Sequence, residues 1–118
     1  LVVDDEKSIV AVTQQMLGRL GYKVETAMTP QDALDLFSEN PEHFDLVITD
    51  MTMPQMTGVA LSEKLMGIRP DIPIIISTGH SALVDEKRAK ELGLAAYVMK
   101  PISMREIATT IRKVLDKK

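Results

Sequence analysis

The sequence predicts an α/β fold, a doubly wound sheet of five parallel strands. Three observations predict it. Short β-branched apolar runs alternate with longer stretches of helical periodicity, giving five βα units. Strands separated by helices pair in parallel, because a parallel neighbour needs a crossover connection. The central runs, 45–49 and 74–76, are apolar almost throughout, as strands covered on both faces are.

The elements follow in order. Residues 1–3 are an apolar stub that ends at Asp4-Asp5. Ile9, Val12 or Thr13, Met16 and Leu20 then recur at helical spacing, and Gly21 supplies the stop. Residues 22–26 alternate as a second strand. Thr29 is an N-cap, Pro30 suits the first helical position and Asp32 suits the helix dipole. That second helix carries Ala33, Leu34 and Phe37 and ends near Asn40-Pro41. Residues 45–49 form a buried-type strand that delivers Asp50. After a loop with Pro54, Gly58 opens a helix carrying Val59, Leu61, Leu65 and Met66. Pro70 and Pro73 bracket the turn into the fourth strand. Residues 81–92 read as the fourth helix, closed by Gly93, and 95–99 as the fifth strand. Ser103 with Glu106 makes a capping box for the fifth helix, which carries Ile107, Ile111, Val114 and Leu115. The best match to this succession is a flavodoxin-like (βα)5 sheet of strand order 2-1-3-4-5.

Composition narrows the function. The 118 residues fit one compact domain over 1–118. A 45% hydrophobic and 26% charged content is an ordinary globular balance. The net charge of −3 argues against a nucleic-acid backbone binder, which needs a basic face. With no cysteine, thiol catalysis, disulfides and cysteine metal sites are excluded. No apolar run reaches the roughly 18 residues that span a bilayer, and no signal peptide is visible, so a cytoplasmic domain without membrane contact is expected. The chain opens at Leu1, inside an apolar run and without a methionine, which reads as a fragment of a longer protein.

In a doubly wound sheet, sites form at the carboxyl ends of the strands, at the switch point between strands 1 and 3. Asp4-Asp5 end strand 1 and Asp50 ends strand 3, so three carboxylates meet there. Thr78 ends strand 4 and Lys100 ends strand 5, on the same rim. Like charges about 4 Å apart repel by roughly 4 kcal/mol at an effective dielectric of 20, so the cluster should hold a cation or take up protons. Oxygen-only ligands with an open shell suggest Mg²⁺, with Mn²⁺ as a substitute. With Mg²⁺ and Lys100 the formal charge of the cluster is zero, and the site can then receive a phosphoryl group. In that arrangement Asp5 and Asp50 ligate the metal and Asp4 does so directly or through water. Asp50 attacks phosphorus, Lys100 neutralises the transferring oxygens and Thr78 donates to one of them. Each residue alone has a bland explanation: Asp4-Asp5 an N-cap, Asp50 a turn residue, Lys100 a surface lysine, Thr78 a strand-end hydroxyl. Their coincidence at four strand ends favours function.

The runs Leu1-Val2-Val3-Asp4-Asp5-Glu6, Asp45 through Asp50 with Met51-Thr52-Met53-Pro54 and Gly58, Ser77-Thr78-Gly79, and Lys100-Pro101 resemble the receiver domains of response regulators in two-component signalling. The resemblance covers essentially the whole chain, with every landmark in order. It implies that Asp50 is the phosphoacceptor, and that Asp4, Asp5, Asp50 and the backbone carbonyl of Thr52 bind Mg²⁺. Thr78 and Tyr97 match the family's switch pair, Lys100-Pro101 a usually cis peptide bond, and Pro54 and Gly58 the loop walling the site. Thr52 and His80 match positions that tune phosphoryl lifetime; a solvated loop histidine is the equal alternative for His80, and His43 reads as an ordinary loop residue. The implied partners are a sensor histidine kinase or a histidine phosphotransfer domain, docking near the first helix, where Val10 and Leu17 are apolar beyond the expected core stripe. The face of the fourth helix, fifth strand and fifth helix is the implied output surface. Its tract Asp85-Glu86-Lys87-Arg88 with Lys90-Glu91 suits a homodimer or, more blandly, a solvated helix face. The domain is expected to be a phosphoacceptor with at most slow self-catalysed chemistry, not a true enzyme. The tract around Asp50 is similar to receivers of hybrid sensor histidine kinases; a free-standing regulator is the alternative. From a different class, an aspartate-nucleophile phosphatase would need an acid where Thr52 stands. A flavin binder would meet repulsion from Asp4-Asp5. A scaffold that works without phosphorylation usually lacks one of the site residues.

Overall fold

β-Branched residues supply most of the strands, as a pleated surface buried on both sides favours. The computed structural model describes residues 1–78, 91–100 and 103–116. Its strands are β1 (Val2–Val3), β2 (Thr26–Ala27), β3 (Val47–Asp50), β4 (Ile74–Thr78) and β5 (Ala96–Met99). All pair in parallel in one sheet of order β2-β1-β3-β4-β5, as the sequence predicts. The connecting helices are α1 (Lys7–Arg19), α2 (Pro30–Glu39), α3 (Gly58–Ile68) and the C-terminal helix (Met104–Asp116). The expected helix over 81–92 lies almost wholly outside the described residues.

Strand alternation divides the core in two. Val3, Val47, Ile74 and Ile76 face α2 and α3 and pack with Ala33, Phe37, Leu61 and Leu65. Val2, Ile48, Ile75 and Val98 face the opposite way and pack with Leu17 of α1 and with Ile107, Ile111 and Val114 of the C-terminal helix. This is the three-layer sandwich of a doubly wound sheet.

Local signals set the helix starts. Thr29 Oγ1 accepts from Asp32 N, and Ser103 Oγ accepts from Glu106 N, each at 3.1 Å, as expected of these caps. Thr57 caps α3 by accepting from Ala60 N at 3.1 Å, a start signal the sequence reading passed over. Gly21 (φ 92°) follows α1 in the left-handed region, where a residue without Cβ is favoured.

Three expectations shift. The buried stripe of α1 is Val10, Thr13 and Leu17; Val12 is 53% exposed and Leu20 39% exposed, with Ile9 and Met16 half-buried. Both stripes have helical spacing and differ by a single residue of rotation, so periodicity could not choose between them. Docking of Leu17 among Val2, Ile48 and Ile111 does. The apolar residues α1 leaves to solvent are therefore Val12 and Leu20, not Val10 and Leu17. The second strand is shorter than 22–26: the Tyr22 amide closes α1 by donating to Leu17 O at 3.1 Å, and only Thr26 and Ala27 pair with β1. The third strand is displaced from 45–49: it starts two residues later, at Val47, and ends one later, so Asp50 lies within the ladder.

After α2 a single 3₁₀ turn (Pro41–His43) is held by Arg69, whose Nη1 donates to the carbonyls of Pro41 and Phe44. His43 pairs with Glu25 at 2.8 Å, exposed and far from the carboxyl ends of the strands. Among the described residues, no helix is long and apolar enough to cross a membrane.

The rotation of α1 predicts a contrast. Leu17→Ala should cost about 2–5 kcal/mol of unfolding free energy by urea denaturation, whereas Val12→Ala should stay within about 0.5 kcal/mol of the unsubstituted chain. Equal losses would restore the other stripe.

Candidate functional site

One alternation builds the site. On β1, β3, β4 and β5, the last core residue of the face packed on α1 and the C-terminal helix is followed, two positions on, by a polar residue at the carboxyl end. Val2 leads to Asp4, Ile48 to Asp50, Ile75 to Ser77 and Val98 to Lys100. The same periodicity that fills the core thus brings the polar groups to one rim.

Asp4 is 3% and Asp50 7% exposed, while Asp5 reaches towards solvent. Carboxylate oxygens from all three lie within 4.8 Å of one another. Lys100 Nζ stands 2.9 Å from Asp50 Oδ1 and 3.1 Å from Asp4 Oδ2. This lysine is no surface residue: its ammonium bridges the two buried carboxylates. Asp4 Oδ1 accepts from Glu6 N at 2.9 Å, so Asp4 orders the turn into α1 as well as joining the cluster.

Backbone bonds fix the frame. Met51 N donates to Ser77 O, Gly58 N to Met51 O, and Lys100 N to Thr78 O, each at 2.8 Å. Gly58 approaches so closely that a Cβ there would overlap the Asp50 carbonyl oxygen, and the atom in the way is backbone. The start of α3 is thereby pressed against the end of β3.

Burial pushes the Asp50 carboxyl above the usual carboxylate range; Asp4 and Asp5 reinforce this, and the hydrogen bond and charge of Lys100 oppose it. Burial pulls the Lys100 ammonium down, but its bonds to Asp50 and Asp4 outweigh that and hold it above the ordinary lysine value. One cation against three carboxylates leaves the cluster negative. The donor set is all oxygen, with Asp5 at its solvent edge, which fits a hard divalent cation that keeps some of its water.

The other expected residues divide. Thr78 is fully buried at the end of β4. Tyr97 is half-buried against the α2–α3 core and in register with Ile76, so Tyr97 and Thr78 share the face opposite Lys100. Thr52 is exposed in the loop after Asp50, as is Pro54. Gly79, His80, Pro101 and the tract 85–90 lie outside the described residues. The sequence reading gave Ser77 no role, although the step of two from Ile75 already placed it with Asp50.

The model of the response regulator receiver domain family matches residues 1–112. The chain belongs to that family. Similar curated proteins include the two-component response regulator ARR10 of Arabidopsis thaliana, 36% identical over 99% of this chain and 21% of its own length. Another is the probable transcriptional regulator ycf27 of Cyanidium caldarium, 37% identical over 98% of this chain and 45% of its own. The chain thus spans less than half the length of these relatives. Among solved structures, a receiver domain protein from Clostridium thermocellum is similar with a TM-score of 0.91 and 32% identity, over 98% of this chain and 92% of that one. A CheY-like receiver domain protein from Methanospirillum hungatei JF-1 has a TM-score of 0.86 and 36% identity, over 98% and 91%. This receiver domain is therefore a module of two-component signalling.

Three outcomes follow from the geometry. Gly58→Ala should destabilise the receiver by about 1–3 kcal/mol in urea melts, since backbone must move to admit the Cβ. Because Asp50 binds its proton more tightly folded than unfolded, ionising it removes stability as pH rises from 3.8 through its raised folded value. Without divalent cations, Asp50→Asn should therefore gain stability over the parent as pH rises from 3.8 through that raised folded value, read by urea melts across the titration. Lys100→Met should move the Asp50 titration further up by carboxyl NMR; an unmoved titration would contradict the bridge.

Proposed function

We propose that this receiver accepts a phosphoryl group on Asp50 from a histidine kinase or histidine phosphotransfer protein and converts it into a conformational signal. The observation that carries the reading is the Lys100 ammonium held on both Asp50 and Asp4 at the carboxyl end of the sheet. A carboxylate oxygen of Asp50 attacks phosphorus, the P–N bond to the donor imidazole breaks, and an acyl phosphate remains. Lys100 lies beside the reacting oxygen and offsets charge on the transferring group. Asp4, Asp5, Asp50 and the Thr52 carbonyl would hold Mg²⁺, which when bound supplies the remaining positive charge. Burial of Asp4 and Asp50 keeps water from competing for the same oxygens.

The phosphoryl group then brings charge near −2 and new acceptor oxygens to the rim. Thr78 donates to one of them, and the Tyr97 ring follows inward on the same face, so that a local charge becomes a packing change. Their shared face supports this pairing. The exposed Val12 and Leu20 of α1 offer apolar contact to a donor helix. Similarity around Asp50 to receivers of hybrid sensor histidine kinases supports placing the domain in such a kinase; a free-standing regulator is the alternative. Acting as acceptor, the domain needs no more than slow self-catalysis.

Intact mass after incubation with Mg²⁺ and acetyl phosphate tests the reading. The expected result is a single Mg²⁺-dependent phosphoryl addition, acid-stable and base-labile, that disappears in Asp50→Asn. No addition, together with no binding of beryllofluoride, would leave a scaffold that works without phosphorylation.

A further inference from the structure

The Lys100 side chain takes an unusual route. It leaves from the end of β5, yet its ammonium rests on Asp50 of β3 and on Asp4 beyond β1. In the order β2-β1-β3-β4-β5, strand β4 lies between its origin and its partners. The lysine stem therefore crosses the carboxyl end of β4 on the face packed against α1 and the C-terminal helix. The residue that β4 presents on that face at that level is Ser77. It stands in register with Asp50 on one side and with Val98, two residues before Lys100, on the other.

Ser77 is 2% exposed, and its Oγ has no hydrogen-bond partner among the described residues. Other buried hydroxyls near the site are satisfied: Thr49 Oγ1 donates to Asp50 O at 3.2 Å and Ser62 Oγ to Gly58 O at 2.7 Å. Buried polar groups are almost always paired, so an orphan beside a charged cluster calls for a reason in what the site does. The donor count on Lys100 supplies one. An ammonium has three N–H donors, and Asp50 Oδ1 and Asp4 Oδ2 take two. Once Asp50 carries a phosphoryl group, the charge that holds the ammonium moves from the carboxylate to the phosphoryl oxygens, and the ammonium follows it.

We infer that Ser77 is a positioning residue for Lys100: its hydroxyl accepts the third ammonium N–H when the phosphoryl group draws Lys100 off Asp4. This rests on Asp50 being the phosphoacceptor. The orphan hydroxyl burdens only the unmodified state and is satisfied only in the phosphorylated one. Ser77 thereby biases the receiver towards its phosphorylated form, independently of Thr78 and on the opposite face of the sheet.

The alternative is that position 77 only has to be small so that the stem can pass. The two are separated by titrating beryllofluoride with Mg²⁺ into the parent chain, Ser77→Ala and Ser77→Thr, and by melting each without the mimic. Ser77→Ala should melt a few degrees higher unmodified, because it removes an unpaired buried hydroxyl, and should bind the mimic about tenfold more weakly. Ser77→Thr, which keeps the hydroxyl, should restore binding to within about threefold. Binding by Ser77→Ala within twofold of the parent overturns the inference, whatever its melting temperature. Equal weakening in both variants marks a packing role and overturns it too. Failure of the parent itself to bind the mimic removes the acceptor reading, and this inference with it.

Discussion

The bridge from Lys100 to Asp50 and Asp4 is the constraint on which the rest of the site depends. It joins the two ends of chain order: residue 4, residue 50 and residue 100 become neighbours only when all five strands are in register. Without it, two buried carboxylates would face each other with no fixed countercharge, and leaving a buried charge unpaired costs about 3–5 kcal/mol. The bridge also leaves Asp4, Asp5, Asp50 and Lys100 with two uncancelled negative charges, a balance that suits a hard divalent cation. Under the proposed function, a cation and a phosphoryl group would meet charges that are already in place.

Much of this was legible in the residues. Alternating β-branched runs and helical patterns gave the number and the direction of the strands. The strand-end positions of Asp4, Asp50, Thr78 and Lys100 place all four on one rim. What sequence periodicity could not supply was rotation and register. On α1, Ile9-Met16-Leu20 and Val10-Thr13-Leu17 have equal claims as helical stripes, and only packing against Val2, Ile48 and Ile111 decides. On the strand before Ala27, the alternation over 22–26 was real, but the Tyr22 amide was already committed to the end of α1. Ser77 escaped notice because a serine beside a threonine at a strand end has no signal of its own. Its meaning lies in the stem that crosses above it.

The close approach of Gly58 to Asp50 adds a second dependence. The loop after Asp50 returns to the strand that carries it, and α3 begins so close to the Asp50 carbonyl that a Cβ at Gly58 would overlap it. The Met51 and Gly58 amides fasten both ends of that loop, to Ser77 and Met51 respectively. Displacement of the Asp50 backbone is therefore felt directly by the first turn of α3.

The sheet also works as a partition. Because side chains along a strand point to alternate faces, the groups that form the carboxylate–lysine cluster and the pair Thr78–Tyr97 belong to opposite parities of the same strands. A single-residue slip of β4 would exchange Ser77 for Thr78 and trade one set for the other. Substitutions can therefore alter the carboxylate–lysine cluster through one parity and the Thr78–Tyr97 pair through the other, so a lineage can vary either without disturbing its counterpart.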